Sequence, residues 1–136
     1  MRLFLDANVL FTAAHNPQGK AAFVIEMAGE SGWELVTSEL AVEEARRNLD
    51  RKFPDCLPRF DSILRMIKRH SPAPSYDCPI PLPEKDRPIL SAAISSGATH
   101  LLTGDRKHFG PYMNTPERTA GVSIQSVADF LRSLDI

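Results

Sequence analysis

Leu3-Phe4-Leu5-Asp6-Ala7-Asn8 sets an acid directly after a short apolar run, and Leu101-Leu102-Thr103-Gly104-Asp105 repeats the pattern near the other end of the chain. Both runs are continuously apolar rather than alternating, as strands buried on both faces are. Glu34-Leu35-Val36-Thr37 and Val122-Ser123-Ile124 read as two further strands, and His100 to Thr103 as the strand before Asp105. Helical patterns lie between them. One follows a turn at Asn16-Pro17-Gln18-Gly19, with Ala21, Ala22, Ile25, Met27 and Ala28, and stops near Gly29 to Gly32. A second runs from an N-cap at Ser38 to about Phe53. Pro54 and Pro58 break it, and Ile63, Leu64, Met66 and Ile67 predict a third, ending at Lys68-Arg69-His70. A fourth spans Pro88 to Gly97, with Ile89, Leu90, Ala93 and Ile94 on its buried side, and Val127, Phe130, Leu131 and Leu134 mark a closing helix. Ser71 to Pro83 holds five of the eleven prolines and reads as an extended loop, and Gly104 to Gly121 as another. Alternating strands and helices of this kind imply an α/β fold with a central parallel sheet covered on both faces. Ligands bind such sheets outside the carboxyl ends of the strands, where Asp6 and Asp105 both fall.

The 136 residues suit one domain over 1–136. Apolar residues at 43% and charged residues at 24% are ordinary for a globular chain; a net charge of -1 says little about partners, except that a dedicated sequence-blind duplex binder is usually basic, so any nucleic acid must be held by local patches. The first apolar run meets Asp6 too soon for a signal peptide, and no later run nears membrane-spanning length. Cys56 and Cys78 have neither zinc-ligand nor disulfide-framework spacing, so free thiols in a reducing cytoplasm are expected.

Four acids carry the chemistry: Asp6, Glu44, Asp86 and Asp105. Each has a plainer reading. Asp6 and Asp105 suit turn or cap positions. Asp86, two residues before Pro88, suits a helix N-terminus, yet its spacing to Leu90, Ala93 and Gly97 sets it over the buried stripe. Glu43, followed by Arg46 and Arg47, suits a solvated ion-paired face, whereas Glu44 shares its face with Leu40 and Ala41 and is preferred. Brought together, the acids repel, by roughly 4 kcal/mol per pair at about 4 Å and an effective dielectric near 20. A divalent ion relieves that repulsion, and hard oxygen ligands suit Mg2+ or Mn2+. No Ser/His/Asp or Cys/His grouping competes, since His15, His70, His100 and His108 are scattered. Two basic stretches, Arg46, Arg47, Arg51 and Lys52, and Arg65, Lys68, Arg69 and His70, read as solvated faces. Arg106 and Lys107, beside Asp105 and His108, are the candidates to touch a substrate backbone.

The segments around these acids resemble the PIN-domain family of metal-dependent ribonucleases over nearly the whole chain. Leu3 to Leu10 is similar to the family's opening strand and first acid, Thr37 to Leu49 to the segment with the second, Asp86 to Ala93 to the helix with the third, and Ala98 to Asp105 to the strand and turn with the fourth. The resemblance implies a three-layer α/β/α sandwich, with cleavage of RNA dependent on Mg2+ or Mn2+ held by the four acids, and supporting roles for Asn8 and Thr103. It further implies a small antitoxin protein as partner, since many members are toxins of toxin–antitoxin pairs, and a homodimer as a frequent state. One departure stands out: family members often carry another acid two residues past the Asp105 position, and here that residue is Lys107. A lysine there could displace the metal, leaving a catalytically inactive PIN-like RNA- or partner-binding module. Phosphotransfer through Asp6, as in haloacid-dehalogenase-like or receiver-like folds, is the other enzymatic reading, though Asn8 stands where the former carry a second Asp.

Overall fold

The computed structural model describes residues 1–71 and 78–134. Arg2–Leu5 forms β1, whose Leu3, Phe4 and Leu5 have no exposed surface. Ala7–His15 (α1) and Lys20–Ser31 (α2) lead to Glu34–Thr37 (β2), and Glu39–Lys52 (α3) and Leu57–Leu64 (α4) lead to Lys68–Arg69 (β3). Arg87–Ser95 (α5) precedes His100–Leu102 (β4). Arg106–Phe109 (α6) and two 3₁₀ turns separate it from Ser123–Gln125 (β5), and Val127–Ser133 (α7) closes the described chain.

The five strands lie in the order β3-β2-β1-β4-β5, every neighbouring pair parallel. Parallel crossovers are right-handed, so the connections running from β1 out to β3 cover one face of the sheet and those returning to β4 and β5 cover the other. This is the expected three-layer α/β/α sandwich. On the first face α1 packs against α2, α3 and α4, while α5 lies on β4. The chain reverses direction across the sheet between β1 and β4, leaving a crevice at their carboxyl ends, the place where open parallel sheets take ligands.

Local chemistry accounts for most element boundaries. Ser38 caps α3, its Oγ accepting the Ala41 N–H at 3.2 Å, and Ala41, Val42, Ala45 and Leu49 form the buried stripe. Gly32, at φ 73°, ends α2 in the left-handed conformation that glycine adopts without strain. Pro88 sits in the first turn of α5, where its missing N–H costs nothing.

Three segments depart from the sequence expectations. The stretch from Ala7 to His15, given no element by its pattern, is a helix; its buried Ala7, Val9, Leu10, Ala13 and Ala14 are mostly small and blur the amphipathic contrast. The helix expected to end at Lys68-Arg69-His70 stops at Leu64, and Lys68 and Arg69 pair with Val36 and Thr37 as an exposed edge strand. Ile63, Leu64 and Ile67 are all buried, which imitates a helical stripe across a turn, and charged side chains on so short an edge discourage pairing with other chains. The expected loop from Gly104 to Gly121 contains α6, anchored by the fully buried Phe109. Of the extended loop expected over Ser71 to Pro83, residues 72–77 lie outside the described residues, and Ile80 and Leu82 near its end join the core.

Ser38→Ala should lower the unfolding free energy by about 1 kcal/mol, the usual cost of a lost N-cap, as read by urea denaturation.

Candidate metal centre

Asp6 is placed by the end of β1. Its backbone N–H donates to Leu102 O of β4 at 3.1 Å, so the residue lies in the crevice between the two central strands. The side chain caps α1: Oδ1 accepts the Ala7 N–H at 2.7 Å, and Oδ2 accepts the Thr103 hydroxyl at 2.8 Å. Thr103, with no exposed surface, is the junction of the site. Its Oγ donates to Asp6 and accepts from the Asp105 N–H at 3.1 Å and, more distantly, from Asn8 Nδ2 at 3.4 Å. One hydroxyl has one proton and two lone pairs, and all three are in use. Asn8 Oδ1 accepts the Gly104 N–H at 2.6 Å; a Cβ on Gly104 would stand 3.2 Å from that oxygen, so the absence of a side chain permits the close approach.

Asp105 caps α6, its Oδ1 accepting the His108 N–H at 3.1 Å. Asp86 precedes α5 but makes no cap hydrogen bond there, so it is not performing the plain helix-terminus role. Its Oδ2 is buried and has no hydrogen-bond partner, although His108 Nδ1 lies 2.8 Å away. That ring nitrogen is also 3.0 Å from Asp105 Oδ2 and aligned for a hydrogen bond with it. Ligand atoms of Asp86, Asp105 and His108 lie within 4.8 Å of one another, a spacing one ion can bridge.

Asp6, Glu44, Asp86 and Asp105 line one cleft of about 520 Å³, together with Asn8, Leu40, Glu43, Arg47, Lys85, Pro88 and Ile89. Four acids far apart in the chain thus line one cleft, but among the described residues only Asp86 and Asp105 of the four, with His108, bring ligand atoms within 4.8 Å of one another; Asp6 and Glu44 stand outside that group. Glu44 differs from expectation in being exposed. The buried stripe of α3 runs through Ala41, Val42, Ala45 and Leu49, so Leu40 and Glu44 share the rim, and Leu40 is 51% exposed. Glu43 lines the cleft as well, and among the described residues it forms no ion pair with Arg46 or Arg47; Arg46 pairs with Asp61 at 2.8 Å. Glu44 is nonetheless the one whose charge acts on Asp6.

The cations also differ from expectation. Arg106 and Lys107 are exposed and do not line the cleft, and among the described residues Lys107 forms no ion pair with the acids. Arg47, from a stretch read as a solvated face, and Lys85 line it instead. His108, expected beside the site with Arg106 and Lys107 but not as a neighbour of the acids, stands against two of them. Its position three residues after Asp105 was the available signal, because i,i+3 residues share a helix face.

Burial dominates the electrostatics. Asp6 is raised from 3.8 to about 6, chiefly by desolvation, which the hydrogen bonds from Thr103 and Ala7 oppose and the charges of Glu44 and Asp86 reinforce. Asp86 is also raised, first by desolvation, with His108 pulling it down and Asp105 pushing it up. The donor set fits a divalent cation: hard carboxylate oxygens converge, two of the carboxyls resist ionisation, and a buried oxygen lacks a partner.

Two outcomes follow for the metal-free protein. Asp6 has a higher pKa folded than unfolded, so its ionisation destabilises the fold by about 3 kcal/mol above pH 6, and the penalty fades as pH falls from about 6 to 3.8. The stability of Asp6→Asn relative to wild type, measured by denaturation in chelator, should therefore be greatest near pH 7.5 and decline toward pH 4. Thr103→Val, which keeps the shape and strands the Asp6 oxygen and the Asp105 N–H, should cost about 1–3 kcal/mol in the same measurement.

A family model described as "PIN domain" matches residues 2–107. No curated protein sequence matches the chain. Among solved structures, VapBC2 from Rickettsia felis, bound to a DNA fragment from its promoter, is similar with a TM-score of 0.65 at 14% identity, covering 93% of this chain and 98% of that one. VapBC-1 from nontypeable Haemophilus influenzae is similar with a TM-score of 0.60 at 16% identity, covering 94% and 99%. At such identities the structural likeness speaks to the fold, and the family model to descent: the chain belongs to the PIN-domain family.

Proposed function

We propose that this protein is a divalent-metal-dependent endoribonuclease, with Asp6, Glu44, Asp86 and Asp105 holding Mg2+ or Mn2+. The observation that carries the proposal is that these four acids line one cleft at the carboxyl ends of β1 and β4, where Asp86 and Asp105 bring ligand atoms within reach of a single ion and Asp86 Oδ2 is buried without an aligned hydrogen bond. A divalent cation bound there supplies an activated water and neutralises charge on a phosphodiester. The protein's own groups prepare the site. Thr103 and the Ala7 N–H fix both oxygens of Asp6, and the His108 N–H fixes one oxygen of Asp105. Asn8 holds the Gly104 turn close, so Asp105 is carried at a set distance from β1. Glu44 faces the buried acids from the exposed rim, where it can adjust to an incoming strand. Arg47 and Lys85 offset the negative wall and can grip backbone phosphates, the task first expected of Arg106 and Lys107.

The toxin role within a toxin–antitoxin pair is part of the same proposal. Its support is the likeness to two VapBC structures, each spanning nearly the whole of the chain compared. A small antitoxin protein is the partner so implied, and self-association into a homodimer is the state to look for in its absence. Among the described residues no helix is long and apolar enough to cross a membrane, and Cys56 and Cys78 are free thiols. Both accord with the cytoplasmic setting proposed here, where RNA is available. The inactive-module reading drew on Lys107 displacing the metal, and the lack of an ion pair between Lys107 and the acids weakens it.

Incubation of purified protein with a mixed RNA substrate should give cleavage that requires Mn2+ or Mg2+ and stops in chelator. Asp6→Asn and Asp105→Asn should each lower it by about two orders of magnitude or more, since removing one preorganised charged group costs that much. Metal binding with no cleavage in the wild type, or undiminished cleavage in both variants, would overturn the nuclease proposal.

A further inference from the structure

We propose that His108 is an inner ligand of the bound ion, giving the site a nitrogen donor beside its carboxylate oxygens and a preference for Mn2+, or another first-row transition ion, over Mg2+. The inference rests on reading the cleft as a metal centre and adds a residue that lies just past the segment matched by the family model, which ends at Lys107.

One His108 ring nitrogen stands between two carboxylate oxygens. His108 Nδ1 stands 2.8 Å from Asp86 Oδ2 and 3.0 Å from Asp105 Oδ2. A ring nitrogen carries at most one proton, so it cannot donate to both oxygens at once, and Asp105 Oδ2 is the one aligned with it. Asp86, only 9% exposed, keeps a buried oxygen with no aligned hydrogen bond. A buried acceptor without an aligned hydrogen bond is expensive, and a cation placed among the three atoms would satisfy both oxygens and the Nδ1 lone pair, any proton on Nδ1 being released to solvent as the ion binds.

The spacings suit that arrangement. Two ligands each about 2.1 Å from an ion and at right angles to it lie about 3.0 Å apart. The two distances from Nδ1 match such an edge, and all three donor atoms fall within the reach of one ion.

The ring is also held in place before any ion arrives. The His108 N–H is bonded to Asp105 Oδ1, closing the first turn of α6 on its own cap. The next residue, Phe109, is buried without exposed surface and fixes the turn against the core. With its side chain 23% exposed, His108 is part of the wall of the site rather than a free surface group.

Ion preference follows from ligand chemistry. Magnesium favours oxygen ligands and dehydrates reluctantly, whereas imidazole suits transition ions. A purely carboxylate site would not discriminate on this ground.

The test is pulsed electron paramagnetic resonance on Mn2+ bound to the intact protein, with calorimetry for Mn2+ and Mg2+. Nitrogen-14 modulation from a directly coordinated imidazole is expected in the wild type and should vanish in His108→Ala and in His108→Phe, which retains a ring. Manganese affinity should fall about tenfold or more in both variants, with a smaller loss for magnesium. Saturable Mn2+ binding without nitrogen modulation in the wild type would overturn the role of His108 while leaving the acidic centre intact. Absence of saturable binding in the folded wild type would overturn the centre itself. The wild-type spectrum decides the ligand question even if a variant fails to fold.

Discussion

The Thr103 hydroxyl is the contact on which the site depends. It donates to Asp6 at the end of β1 and receives the Asp105 N–H just beyond β4, so one buried oxygen ties the two central strands where the chain reverses across the sheet. The Asn8 side chain makes a second tie through Gly104. Together they hold two acidic residues, Asp6 buried and Asp105 half-buried, at a fixed separation. Without such ties the acids would move apart, because mutual repulsion and desolvation both favour solvent exposure.

The fold carries an electrostatic penalty in exchange. Asp6 and Asp86 both ionise less readily than free carboxylates, and burial is the largest cause in each. Such a penalty is characteristic of functional sites, where groups are held for a ligand rather than for the stability of the free protein. A rigid support bears it: Leu3, Phe4, Leu5, Leu101 and Leu102 lie fully buried immediately before the two acidic turns. The remaining acids enter from opposite sides, Glu44 from α3 and Asp86 from the start of α5. Because the crossovers place these two helices on different faces of the sheet, they can meet only beyond its edge, above the carboxyl ends of the strands.

Legibility in the sequence varied with the range of the controlling interaction. The strands at Leu3–Leu5 and Leu101–Leu102 and the capped start of α3 were readable because hydrophobic runs and a capping serine are local signals. The edge strand Lys68–Arg69 was not. Two exposed charged residues have no strand pattern of their own, and they become a strand only by pairing with β2. Helix α1 was obscured by alanines, whose burial depends on how closely its neighbours approach. Among site residues, the four acids were found from their positions relative to strands and helices. Arg47 and Lys85, and the contact of His108 with the acids, were missed, since they depend on the direction each side chain takes once the elements pack.

The sequence by itself determined the alternation of strand and helix, the buried runs that lead into Asp6 and Asp105, and the acidic character of whatever lies at that sheet end. These follow from nearest-neighbour chemistry, in which periodicity, caps and breakers act within a few residues. Tertiary structure decided the rest: that Glu44 stands exposed on the rim, that Lys107 stays clear of the acids, and that a histidine rather than a lysine faces Asp86 and Asp105. The physical reason is that a side chain's surroundings are set by chain segments remote in sequence. Only their packing determines which carboxylate oxygen is left buried without a hydrogen bond.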